Sequence, residues 1–127
     1  MKIDSPVKRW PGSVTLPEYL TWPQVEAWTN TQTTSNEITA EAIAAGRTKV
    51  QGGRQVLSNV SDVKASRMAW VEGICAIVEA WDLKGLPSPV PPDRFPATPA
   101  ASAANLLQWL IDQVNALFDE AEEAPNA

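Results

Sequence analysis

The sequence contains no histidine and a single cysteine, Cys75. Histidine is the usual general base at neutral pH and a frequent zinc ligand, so its absence excludes the Ser-His-Asp arrangement and most zinc sites. Cys75 lies in an apolar helical run, where a buried and inert thiol is expected. One cysteine forms no internal disulfide, which favours a reducing compartment such as the cytoplasm. We therefore predict that the protein is not an enzyme and uses neither a metal nor a cofactor.

Basic charge and long apolar runs are also scarce. The sequence has ten Lys and Arg residues and 15 Asp and Glu residues, which gives a net charge of −5. Binding to nucleic acid or to an anionic membrane requires a basic face. No stretch approaches the roughly 20 apolar residues that span a bilayer, and the first residues, "MKIDSPVKRW", lack the apolar run of a signal peptide. We expect protein partners, with no nucleic acid and no membrane.

The composition that remains is typical of one small globular domain. Hydrophobic residues make up 44% of the 127 residues, and one domain over 1–127 fits this length. The periodicities predict a mainly α fold, a single-domain bundle of about three to four helices with an extended N-terminal strap. We expect an N-terminal arm at 1–12, a Pro-rich connector at 86–99 and a frayed tail at 122–127. Gly52–Gly53 marks a flexible turn or the tip of a short β-hairpin.

The first half of the chain predicts short elements. "SVTL" (13–16) is β-prone, but its length and the flanking prolines argue against a central strand. "TWPQ" predicts a helix start capped by Thr21, with the helix ending near Thr31. "NTQTTSN" (30–36) is a polar break, and a second helix at 37–46 would be capped by Asn36 and stopped by Gly46.

A central helix is predicted from Val56 or Val60 to Leu83, with two different faces. The large face should pack on the domain's own helices, and the small face would let another backbone approach closely. The large face comprises Val60, Val63, Trp70, Val71, Ile74, Cys75, Val78 and Trp81. The small face comprises Ala65, Ala69, Gly73, Ala76 and Ala80.

The last helix is predicted to start at Thr98–Pro99 and to carry a regular apolar stripe. Trp109 projects outside that stripe, and neither Trp10 nor Trp22 belongs to one. Two interpretations stay open for these three tryptophans. They pack on each other, with the N-terminal arm folded over the polar flank of the last helix, or they form an exposed aromatic patch of the kind enriched at binding hot spots. The other three tryptophans are expected in the core: Trp28, Trp70 and Trp81.

Three segments together resemble a known group of proteins: "WPGSVTLPEYLTWPQVEAW", "CAIVEAWDLKGLPSPVPPDRFPATP" and "AANLLQWLIDQVNALFDEAEEAPNA". The pattern is similar to small proteins encoded in the tail regions of tailed bacteriophages and prophages, described as tail assembly chaperones or as uncharacterised tail-region proteins. The resemblance covers 7–28 and 75–126 and involves no catalytic motif.

The resemblance implies a non-enzymatic chaperone that binds the helical tape measure protein during siphophage-type tail assembly, in the host bacterial cytoplasm. Alternatives are a structural component of the tail or head–tail junction, located in the virion, and a small phage regulatory protein that binds a host factor. Homo-oligomers are compatible with each. Helix-in-groove capture needs an apolar or small-residue face. The candidate partner-binding residues are Trp10, Trp22, Trp109, Ala69, Trp70, Gly73, Ala76 and Ala80.

Overall fold

The computed structural model describes residues 1–87 and 95–123, the last three of them as backbone only. Within this part of the chain lie three helices and two antiparallel sheets, of three and two strands. The predicted mainly α bundle is therefore wrong, and the protein is a small α/β domain. In chain order the elements are β1 (Lys2–Asp4), β2 (Gly12–Thr15), α1 (Trp22–Ala44), β3 (Thr48–Gln51), β4 (Arg54–Leu57), α2 (Val60–Ile77), β5 (Ala80–Leu83) and α3 (Ala100–Glu123).

The three-stranded sheet has the order β1-β2-β5, so the "SVTL" segment supplies its central strand. The prediction that it could not do so is wrong. Pro11 and Pro17 lie just outside the four paired residues, so neither removes a hydrogen-bond donor from the ladder. Val14 is buried while Ser13 and Thr15 are half-exposed. This period of two gives the sheet one face in the core and one polar face.

The N-terminal segment 1–12 is part of the fold rather than an arm. Lys2–Asp4 pairs with β2 as β1, and the following loop inserts Val7 and Trp10 into the core. Gly12 joins this loop to β2 at φ 134°, where a Cβ atom would collide with the carbonyl group of Asp82 on β5. Glycine is required there because the two backbones approach so closely.

Helix α1 is one continuous helix where two short ones were predicted. Its start is as predicted: the Thr21 hydroxyl accepts from the Gln24 N–H, and the Gln24 side chain accepts from the Thr21 N–H. The expected break at 30–36 and the Asn36 cap are both wrong. The polar residues there continue the helix because Thr31 and Ser35 are buried inside the protein. The helix ends close to Gly46, which has φ 71°.

Helix α2 stops earlier than predicted. It runs from Val60 to Ile77, and Val78 already has extended dihedral angles. The next residues, which the helical wheel placed on α2, form β5 with alternating exposed and buried side chains. Trp81 and Leu83 thus reach the core from a strand. Val78 and Trp81 have high β-propensity, and pairing with β2 decides between the two structures.

The chain between α1 and α2 forms the β3–β4 hairpin, with positive φ at both Gly52 and Gly53. Such dihedral angles suit the tight two-residue turn of a hairpin. Arg47, just before β3, forms an ion pair with Asp62 in the first turn of α2, with 2.9 Å between Nε and Oδ2. This contact ties the base of the hairpin to α2.

Helix α3 confirms the predicted last helix, and its apolar stripe packs against the inner face of the sheet and against α1 and α2. Phe95 of the Pro-rich connector contacts Trp81 edge-to-face at 6.0 Å, but 88–94 of that connector and 124–127 of the tail lie outside the described residues. The main core cluster consists of Val7, Trp10, Val14, Leu16, Trp28, Ile74, Ile77, Trp81, Leu83, Ala103, Leu106, Leu110, Val114, Leu117 and Phe118.

Candidate partner-binding surface

The described residues offer little catalytic chemistry. Over 1–87 and 95–123, no three His, Cys, Asp or Glu side chains come close enough together to hold a metal ion. Cys75 is half-buried, and burial raises the pKa of its thiol, which therefore stays protonated at neutral pH. None of the described helices is both long enough and apolar enough to cross a bilayer.

The small face of α2 is largely an internal contact with α1. A Cβ atom built on Gly73 would lie 2.5 Å from the Thr31 hydroxyl oxygen, and that hydroxyl donates to the carbonyl of Ala69 at 3.3 Å. Gly73 is buried, so the expectation of a free small face is wrong there. Ala76 and Ala80 are exposed, but Ala80 lies on β5. The candidate small-residue set therefore does not form one accessible surface.

Most of the tryptophan side chains are buried or half-buried. Trp28 donates from Nε1 to Asn115 on α3 at 2.9 Å and contacts Trp70 edge-to-face, with ring centroids 5.3 Å apart. Trp10 is only 5% exposed, and Trp109 is half-buried against the core. Trp22 is 81% exposed at the start of α1. Of the predicted aromatic patch, Trp22 alone presents a largely free ring.

The N-terminal loop does cross the polar flank of α3. Lys8 and Arg9 border a shallow groove whose other wall includes Ser102 and Asn105 from the first turns of α3. This placement agrees with one half of the first interpretation, the N-terminal segment folded over the last helix. The other half, packing of the three tryptophans on each other, does not hold for Trp22, which is 81% exposed. Val7 and Trp10 anchor that loop in the core.

A different surface, along the outward side of α2, carries exposed apolar side chains. Val60 is 84% exposed and Val63 is 42% exposed, although the wheel assigned both to the face that packs internally. That assignment is wrong because no described element covers the first turns of α2 on this side. The first part of the surface is a depression of about 210 Å³ lined by Ser58, Val60, Val63, Lys64 and Arg67.

The surface continues into a larger depression between α2 and the start of α3, of about 450 Å³. Arg67 borders both depressions, and we name the two together the α2 groove. Its lining is mainly apolar or small. The larger part is lined by Arg67, Met68, Val71, Phe95, Pro96, Ala97, Ala100, Ala103, Ala104 and Leu107.

Helical spacing explains why the groove is straight. Val60, Val63, Arg67 and Val71 follow each other at three or four residues, so they occupy one side of α2. The contact with α1 uses another side, about 120° around the helix. The periodicity was visible in the sequence. What the sequence did not show was which of the apolar sides the rest of the domain would cover.

Two cations border the apolar floor of the groove. Lys64 and Arg67 are exposed, and neither forms an ion pair with a residue of the described ranges. In a chain with net charge −5 they make a local basic rim. An occupant with an apolar stripe and flanking carboxylates would match both the floor and the rim.

Comparison with known proteins gives no relative from which a role can be transferred. No protein-family profile, curated protein sequence or solved structure matches this chain.

Proposed function

We propose that this protein is a non-enzymatic phage tail assembly protein, a chaperone that holds a helical segment of the tape measure protein in the α2 groove. The α2 groove carries the proposal, because Val60 at 84% exposure and Val63 at 42% leave apolar side chains open to solvent beside its two rim cations. The resemblance of the Trp/Pro segments to tail-region proteins supplies the partner's class.

The geometry favours a helix as the occupant. A helix presents apolar residues at three- and four-residue intervals, which can interdigitate with the exposed side chains of Val60 and Val63 on α2. Leu107 of α3 and Phe95 border the deeper end, where a large apolar side chain of the partner would lose most of its contact with water. Assembly proteins of this kind bind reversibly, and a groove open along one side allows release.

Co-expression with the tape measure protein of the same genome, followed by affinity purification, tests this proposal. The informative variant is Val60→Glu combined with Val63→Glu, which places carboxylates on the groove floor. We expect at least a tenfold loss of co-purified tape measure protein. Val50→Glu, which adds one carboxylate where the groove variant adds two, is the control outside the groove, because Val50 is 69% exposed on β3 and lines neither depression.

Two results would overturn the proposal. Absence of co-purification by the wild-type chain, with no gain in tape measure solubility, would exclude the chaperone role. Equal loss in the groove variant and in Val50→Glu would exclude the groove. Mass spectrometry of purified particles separates a structural component from a chaperone, which should be missing from finished tails. Recovery of a host protein instead of a tail protein would favour the regulatory role.

A further inference from the structure

Among the residues that the structure describes, none pairs with the outer edge of strand β1 in the three-stranded sheet. The hydrogen bonds between β1 and β2 show which residues of β1 point their backbone N–H and C=O groups to the free edge. Met1 and Leu16 exchange both backbone bonds, at 3.0 and 2.8 Å, and Ser5 donates to the Gly12 carbonyl at 2.9 Å. Along an antiparallel pair of strands, residues that hydrogen-bond to the neighbouring strand alternate with residues that do not. Residues 1, 3 and 5 therefore direct their backbone groups to β2, and Lys2 and Asp4 direct theirs to the free edge.

The side chains of β1 also alternate. Ile3 is half-buried and packs against the core, while Lys2 and Asp4 are exposed on the polar face of the sheet. Neither charged side chain forms an ion pair within the described residues. The strand thus offers unpaired backbone groups at the same two positions that carry opposite, unpaired charges.

This order of residues is complementary to itself. If two copies of β1 pair antiparallel about Ile3, Lys2 of one copy faces Asp4 of the other, on both sides of the axis. Both facing positions direct their backbone groups across the edge, so both become hydrogen-bonded pairs. Moving the axis by one residue to Lys2 or to Asp4 would set like charges opposite each other, which is destabilising. One register therefore satisfies backbone and charge together.

We propose that β1 pairs with β1 of a second copy across a two-fold axis at Ile3, which joins two three-stranded sheets into one of six strands. The contact is isologous, as expected for a closed dimer. Short edge strands with charged side chains disfavour pairing with unrelated strands. The Lys-Ile-Asp order of β1 has this effect on unrelated strands, but it is complementary to a second copy of itself. The surface is separate from the α2 groove, so this inference does not rest on the proposed function.

The exposed apolar side chain of Met1 would extend the contact. Met1 is 53% exposed and directly precedes β1. The strand itself is short, and we therefore expect a dimer that dissociates on dilution.

Sedimentation velocity over a concentration series of the full chain is the test, with charge reversals that distinguish this contact from any other. Lys2→Glu puts a glutamate opposite Asp4 of the partner subunit, and Asp4→Lys puts a lysine opposite its Lys2. Each variant alone should dimerise at least tenfold more weakly than the wild type. An equimolar mixture of the two should dimerise again, because every facing pair in the heterodimer is then of opposite charge.

Lys49→Glu serves as the control, since Lys49 is exposed on β3, away from the edge, and gives the same change in net charge as Lys2→Glu. Circular dichroism checks that each variant is folded. Wild-type protein that stays monomeric at all concentrations would overturn the proposal. So would single reversals that dimerise like the wild type, or a mixture that does not recover. Raised salt should weaken the wild-type dimer and the mixed dimer alike.

Discussion

The packing of α3 and the contact between α1 and α2 are built from different residues. The core-facing residues of α3 are apolar, for example Leu106, Leu110 and Val114. Where α1 meets α2, the contact includes Thr31 and Ser35 with the backbone of α2 close by. The core around α3 excludes water with bulky apolar side chains. At the second contact, small and polar side chains bring the two helices close together beside the Trp28–Trp70 pair.

The second contact still has a regular period. Trp28, Thr31, Ser35, Ile38 and Ala42 repeat at alternating intervals of three and four, and all are buried or half-buried. This spacing is that of helices packed nearly antiparallel with interdigitated side chains. Buried hydroxyls are stable here because each finds a partner: Ser35 lies 3.2 Å from the Ser66 hydroxyl and accepts from Trp70 Nε1 at 3.1 Å.

The contrast between the α3 packing and the α1–α2 contact can be tested first by shortening an apolar side chain of α3. Leu110→Ala should lower the free energy of unfolding by about 2–5 kcal/mol, because Leu110 is fully buried and its loss leaves a cavity. Urea unfolding followed by circular dichroism measures the change. Gln108→Ala, on the exposed side of the same helix, should change stability by no more than about 0.5 kcal/mol. Equal effects of the two would mean that α3 is not the principal apolar contact.

Overfilling the small-residue contact should have the next largest effect. Gly73→Leu is expected to cost about 1–3 kcal/mol or more, because Thr31 already occupies the space beside Gly73. Thermal melts with light scattering distinguish unfolding from a lost interaction with a partner. The smaller change Gly73→Ala should cost less in a Thr31→Ala background than in the wild type. Purely additive effects would contradict the close approach of the helices.

The hydrogen bonds of the same contact can be removed one partner at a time. Ser35→Ala leaves Trp70 Nε1 without its acceptor and should cost about 1–3 kcal/mol. The single variant Trp70→Phe removes the donor of the same hydrogen bond. In the double variant the donor and acceptor are both gone, so the loss should be smaller than the sum of the two single losses by roughly 1 kcal/mol. A double-mutant cycle from denaturant unfolding gives this coupling, and a value near zero would exclude the bond.

The smallest expected effect concerns the start of α1. Thr21→Ala removes the oxygen that accepts from the Gln24 N–H and should cost about 1 kcal/mol. Thr33→Ala, at an exposed position inside the same helix, is the matched control and should be neutral or slightly stabilising. If both variants unfold at the same denaturant concentration, the cap does not contribute to the stability of α1.

The contrast between the two contacts also explains what the sequence could predict. The α3 stripe and the Thr21–Gln24 cap are local signals, and both were identified from the residues alone. The 30–36 segment was interpreted as a break because only apolar residues were counted, whereas Thr31 and Ser35 occupy core positions with polar side chains. The sheet was missed because Lys2–Asp4 and Ala80–Leu83 become strands only through pairing with β2.

The candidate site shows the same division. The apolar side of α2 that begins at Val60 was recognised, but a helical wheel does not tell which side the remaining elements cover. The sequence predicts Gly73 on a face open to a partner, because small residues on a helix suit any close neighbour. The neighbour proved to be α1 of the same chain. Distinguishing internal from external contacts required the tertiary structure.

The position of β2 has a consequence for how the chain folds. Val14 pairs with Trp81, so the strands on either side of the α1–β3–β4–α2 unit meet only after that whole unit has been brought together. Contacts between distant residues form at a high cost in chain entropy unless the intervening chain is already compact. The helical hairpin, with its nearby contacts, is therefore expected to form early. We therefore expect the sheet to close late and its closure to limit the rate of folding.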